Sequence, residues 1–135
     1  MTSKYRTWDK VAEDMFIPEA LELDKYGKVT GIFSKGTMFS IEDFELLQST
    51  GLKDKNDKEI FEGDILKENS MLGIVKFGRY LDYEYIQYGL DGWLFSEKLK
   101  LGFVDTPLTE YVLDPHCSIE VIGNIYEHPH LLEEE

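Results

Sequence analysis

Apolar and polar positions along this chain alternate at the two-residue period of strands far more often than at the longer period of helices. The clearest case is Tyr83-Glu84-Tyr85-Ile86-Gln87-Tyr88, where apolar and polar residues interleave as a half-exposed strand requires. Glu59-Ile60-Phe61, Ile65-Leu66-Lys67, Gly73-Ile74-Val75-Lys76-Phe77, Trp93-Leu94-Phe95 and residues 118–126 form further short β-type runs. Turn signals separate them. Asn56-Asp57 tolerates positive φ, Gly63-Asp64 marks a bend, and Gly89-Leu90-Asp91-Gly92 reads as a turn.

The first third is less regular. Residues 8–25 mix apolar and acidic positions, and Pro18 suits a turn or a strand edge because its ring removes a donor. Tyr26-Gly27-Lys28 turns the chain into Val29–Phe33. Ser40 and Asp43 resemble the cap and acidic first turn of a helix, while Phe39, Ile41, Phe44 and Leu46 keep a strand open. Residues 127–135 read as a short terminal helix, with Pro129 in its first turn, or as a tail. No repeat or coiled-coil heptad stands out. The pattern predicts a mainly-β protein, a small β-barrel or sandwich with little helix. Residues 1–47 would form an N-terminal β-rich lobe and residues 48–135, where the β signal sharpens, a second lobe with a short C-terminal helix or tail, or the two a single compact domain.

Bulk properties narrow the function. At 135 residues, with 42% hydrophobic residues, the chain can bury a core without cross-links. Cys117 is the one cysteine, which excludes an intramolecular disulfide and points to a reducing compartment. No stretch approaches the about 18 apolar residues of a membrane span. The basic residues near the start precede no apolar run, so a signal peptide is not expected and a cytoplasmic location is. Fourteen Lys and Arg against 27 Asp and Glu give a net charge of −13, which repels nucleic acid at long range. The basic groupings at Lys53–Lys58 and Lys98–Lys100 alternate with Asp54, Asp57 and Glu97 and form no basic stripe.

Three blocks carry a family resemblance. They are Tyr5-Arg6-Thr7-Trp8-Asp9; Gln48 to Asn56 with Glu59 to Ile65; and Glu120-Val121-Ile122-Gly123-Asn124-Ile125-Tyr126-Glu127. Together they resemble the YopX-like family of bacteriophages and prophages, over the full length of the chain. The resemblance implies a mainly-β fold whose later half is an SH3-like barrel. It further implies an accessory protein without assigned activity, and homo-oligomerisation. Two departures stand out. Asp57 occupies a position where glycine commonly follows the asparagine, and His128-Pro129-His130 replaces an Asn-Pro-Glu-like ending.

Candidate chemistry is sparse. Asp54, Asn56 and Glu59 suggest a calcium loop, but the position where such a loop needs its third oxygen ligand holds Lys58. His116, Cys117, His128 and His130 are zinc-ligand types without the accompanying spacing motif. Cys117 beside His116 lacks an orienting third group, and neighbours on a strand point to opposite faces. Acidic pairs such as Glu62 with Asp64, or Asp82 with Glu84, would share a strand face, but with 27 acids such pairs arise by chance. No Gly-rich phosphate loop or nucleophile elbow occurs. Catalytic, metal and cofactor sites are therefore not expected. The aromatic set Tyr80, Tyr83, Tyr85, Tyr88 and Trp93, with Phe95, is the candidate interaction surface, with core packing as its alternative. The expected role is a non-enzymatic accessory protein acting through self-association and contact with a host or phage protein, without direct nucleic-acid or membrane binding. The alternatives are an acidic DNA mimic binding a basic host protein, and a metal-dependent or cysteine hydrolase.

Overall fold

The computed structural model describes residues 4–81, 89–116 and 118–133, with the side chains of 79–81 and 89–91 outside that description. Strands make up 58% and helix 9%, so the fold is mainly β with little helix. The chain divides into two compact units, Met1–Ser49 and Thr50–Glu135.

The first unit contains β1 (Tyr5–Asp9), β2 (Asp14–Phe16), β3 (Ala20–Leu23), β4 (Val29–Ser34), β5 (Thr37–Ser40) and the start of β6 (Phe44–Lys53). Strand β1 lies between β2 and β6, antiparallel to both, with Thr7 opposite Phe16 on one side and Leu46 on the other. Strand β4 lies between β3 and β5. Thr7, Ile32 and Leu47 are buried. Both readings of residues 40–47 occur in succession: a single 3₁₀ turn at Ile41–Asp43, then β6. Ser40, expected to cap, makes no side-chain cap bond. The turn closes at once, by the Phe44 N–H donating to the Ile41 carbonyl, so there is no second helical turn to cap.

The second unit begins with the end of β6, which pairs with β7 (Glu59–Phe61). A curled five-stranded half-barrel follows. Its members are β8 (Asp64–Glu68), β9 (Met71–Leu81), β10 (Gly89–Leu99), β11 (Gly102–Pro107) and β12 (Glu120–Asn124), in the order β11-β10-β9-β8-β12. Ile60, Leu66, Val75, Phe95, Leu108 and Ile119 form the buried core. A one-turn helix, α1 (Thr109–Val112), brings Tyr111 edge-on to Phe95 at 5.1 Å. The last described element is a 3₁₀ turn at Pro129–Leu132, with the proline in its first turn as expected.

One turn expectation is corrected. Gly89–Gly92 is the start of β10, with Gly89 opposite Leu81 and Gly92 opposite Gly78. Cross-strand pairing with β9 outweighs the local turn preference of two closely spaced glycines.

The loops Asp24–Lys28 and Asp54–Lys58 are two copies of one turn, a repeat that inspection of the sequence missed. In each, the aspartate Oδ1 accepts the N–H groups two and four residues on: Tyr26 and Lys28 in the first, Asn56 and Lys58 in the second. In each, the fourth residue takes positive φ, +82° at Gly27 and +64° at Asp57. Aspartate tolerates that region better than most residues, which lets Asp57 stand in the glycine position.

Candidate interaction surface

Of the aromatic set read from the sequence, Tyr83, Tyr85 and Tyr88 lie outside the described residues. Tyr80 lies on β9 opposite Leu90, with its side chain outside the description. Trp93 is half-buried on β10, packs against the core, and meets Phe77 edge-on at 5.3 Å. Its neighbour Phe77 remains 57% exposed.

The larger exposed apolar feature is the β10–β11 hairpin, Lys98-Leu99-Lys100-Leu101-Gly102-Phe103-Val104. Leu99 sits opposite Gly102 and Lys98 opposite Phe103. Leu99 is 44%, Leu101 99%, Phe103 51% and Val104 48% exposed. Among the described residues β11 pairs with β10 alone, so it is a sheet edge with unpaired backbone groups. Lys98 and Lys100 make no ion pair among the described residues, which leaves a local positive spot on a chain of charge −13. Next to this hairpin a cavity of about 510 Å³ is lined by Leu99, Leu131 and Leu132 among others, with Lys98, Lys100 and Glu133 as its charged residues.

A polar row holds the edge strand in place. Ser96 is buried on β10 between Ile74 and Asp105 in register, and Lys76 on β9 reaches Asp105 at 3.0 Å. Burial pushes the Asp105 carboxyl up, but the Ser96 hydroxyl bonded to it and the Lys76 ammonium outweigh burial and hold it below its ordinary value. Sequence inspection missed this strand. The alternation Leu99, Leu101, Phe103 around Gly102 is the signal that would have found it.

The remaining candidate residues stand apart or serve the backbone. Cys117, Asp82 and Glu84 lie outside the described residues. His116 is exposed, and its backbone N–H donates to Asp114. The His128 Nδ1 accepts the Asn124 N–H at 3.2 Å, and the His128 and His130 rings are 6.2 Å apart. Glu62 lies in the bend between β7 and β8, while Asp64 is fully buried and accepts the Phe61 N–H at 2.8 Å, so the two do not share a strand face. Among the described residues no three of His, Cys, Asp and Glu gather as a metal-ligand set. No helix there is long and apolar enough to cross a membrane.

The second and third sequence blocks are interleaved in space. Strand β12 pairs with β8, with Gly123 opposite Ile65 and Asn124 opposite Asp64. Gly63 donates to Val75 and accepts from the Ile125 N–H. Asn124 Oδ1 accepts the N–H groups of Tyr126 and Glu127, turning the chain after β12. These motif residues form hydrogen-bonded junctions of the scaffold.

A family model described as YopX protein matches residues 4–133. The crystal structure of protein EF1440 from Enterococcus faecalis is similar over 96% of this chain and 97% of that one, at 26% sequence identity and a TM-score of 0.53. No curated protein matches the chain.

Proposed function

The chain belongs to the YopX protein family, and from that membership we propose a phage-type accessory protein that works without catalysis, through protein–protein contacts and self-association in the host cytoplasm. The curled sheet of the second unit fits the SH3-like barrel that the resemblance implies for that half. The observation that carries the contact reading is the β10–β11 hairpin. Leu99, Leu101, Phe103 and Val104 expose apolar surface on an edge strand, and such surface supports covering by another chain. Light scattering coupled to size exclusion tests it. A species heavier than the 15.7 kDa chain is expected for the wild type, and a monomer for Leu101→Asp with Phe103→Ser. A wild type that stays monomeric at high concentration overturns the self-association.

The charge of −13 supports a second reading, an acidic decoy for a basic protein of the host. Its mark would be a partner retained from host lysate at low salt and released as salt rises. Capture of no salt-sensitive partner counts against it.

A further inference from the structure

The first unit holds a cavity of about 250 Å³ lined by Asp9, Asp14, Phe16, Lys35, Phe39 and Phe44, among others. Phe16 meets Phe44 edge-on with centroids 6.1 Å apart, and Phe39 lies tilted against Phe44 at 5.9 Å. Three rings therefore cluster in the wall, and Phe39 is still 42% exposed. The two carboxylates come from adjacent strands in direct register, Asp9 on β1 opposite Asp14 on β2. Like charges facing each other across a strand pair are unfavourable. Asp9 is held in place, its Oδ1 accepting the Val11 and Ala12 N–H groups at 2.9 and 3.0 Å. Asp14 makes no ion pair and no side-chain hydrogen bond among the described residues. Lys35 also lines the cavity and pairs with neither carboxylate, so two acids stand against one ammonium.

Aromatic faces beside carboxylates favour a cation, since ring quadrupole and anionic charge attract it together. The volume lies below the about 300–1,000 Å³ of sites for drug-sized ligands, and suits one side chain better than a cofactor. We infer that this cavity is a receptor for the ammonium or guanidinium of a lysine or arginine on another protein. The cation would lie between Asp9 and Asp14 and against the rings of Phe39 and Phe44. The inference deepens the acidic-decoy reading by naming a place and a chemistry, and it can fail while that reading stands.

The full chain is titrated with a short lysine-rich peptide and with its fully acetylated form, while backbone amide shifts are followed by NMR. Salt-sensitive shifts concentrated in residues 9–16 and 34–44 are expected with the charged peptide and none with the acetylated one. Asp14→Asn and Phe39→Leu are each expected to weaken binding by at least about threefold. Asp14→Asn is also expected to leave the thermal midpoint of the free protein equal to or above that of the wild type, because it relieves the facing charges. Shifts spread over the acidic surface, with both variants binding like the wild type, would overturn the cavity and leave the decoy reading intact. No binding of the charged peptide would overturn both. A lowered midpoint for Asp14→Asn would make the carboxylate structural and overturn the inference.

Discussion

The Asp54 Oδ2 accepts the backbone N–H of Val121 at 2.9 Å, joining residues 67 positions apart. The same carboxylate closes its own turn through Oδ1, and beside it the Lys55 N–H donates to the Ile119 carbonyl at 3.0 Å. The loop after β6 is thereby fastened to β12. Asp54 is 8% exposed, and its three backbone bonds keep a buried charge satisfied.

Asp54→Ala should therefore cost about 2–4 kcal/mol, because it strands three N–H donors and one of them tethers a distant strand. The matched control is Asp24→Ala. Asp24 makes the same turn but sits in an exposed loop, so about 1 kcal/mol or less is expected. Urea unfolding of both variants measures the difference. Equal losses would show that the turn, and not the tether to Val121, carries the stability.

The glycine position of the second turn supplies another comparison. Asp57 holds φ at +64° and forms an exposed ion pair with Lys53 at 3.5 Å. Glycine relieves the left-handed strain but adds freedom to the unfolded chain, and the exposed pair contributes little. Asp57→Gly should change stability by between zero and about +1 kcal/mol. A loss above about 1 kcal/mol would assign the Asp57 side chain a structural role beyond its backbone geometry.

At Gly73 the neighbouring strand and the core approach the backbone closely. A methyl group there would stand 2.5 Å from the Ser96 carbonyl oxygen and 2.6 Å from Phe95 Cε2. The carbonyl belongs to the neighbouring strand and cannot move away without breaking the β9–β10 ladder. Gly73→Ala is expected to destabilise by about 3 kcal/mol or more. Adding Phe95→Leu should recover little, since it removes the ring and leaves the carbonyl. Full recovery in a thermal melt of the double variant would place the clash on the ring alone.

Acid should act on the β9–β10–β11 row. The Asp105 carboxyl is held below its ordinary 3.8 in the fold, so its contribution is complete above that value and is lost as pH falls through the lowered one. The group is partly exposed, so the effect is modest. Between neutral pH and about pH 3, Asp105→Asn should lose less stability than the wild type, and Lys76→Met should behave the same way. Parallel pH profiles for the wild type and both variants would remove Asp105 from the acid response.

How much was legible in advance follows from the range of the forces involved. The Asn56-Asp57 turn and the strands at Ile60, Ile65 and Trp93 depend on local pattern and could be read directly. Gly89–Gly92 could not, because its strand state rests on register with residues 78–81. The Asp24 and Asp54 turns share the pattern Asp-Lys-X-X-Lys and escaped notice as a pair because the third and fourth residues differ, Tyr26-Gly27 in one and Asn56-Asp57 in the other. The Asp9–Asp14 pairing was hidden for a related reason. Five residues of separation say nothing about two acids until the β1–β2 register sets them face to face.

Thr7 offers a prediction whose sign separates packing from polarity. It is fully buried between Phe16 and Leu46, and its Oγ1 has no hydrogen-bond partner among the described residues. A hydroxyl in that state retains the desolvation penalty with nothing to offset it. Thr7→Val keeps the branched shape that suits a strand and removes the oxygen, so a gain of about 1 kcal/mol is expected. Thr7→Ser keeps the oxygen and deletes the methyl, so a loss of about 1 kcal/mol is expected. Chemical denaturation of the two variants decides the matter. A destabilised valine variant would mean that the hydroxyl is satisfied in solution, by water or by a shift of β1.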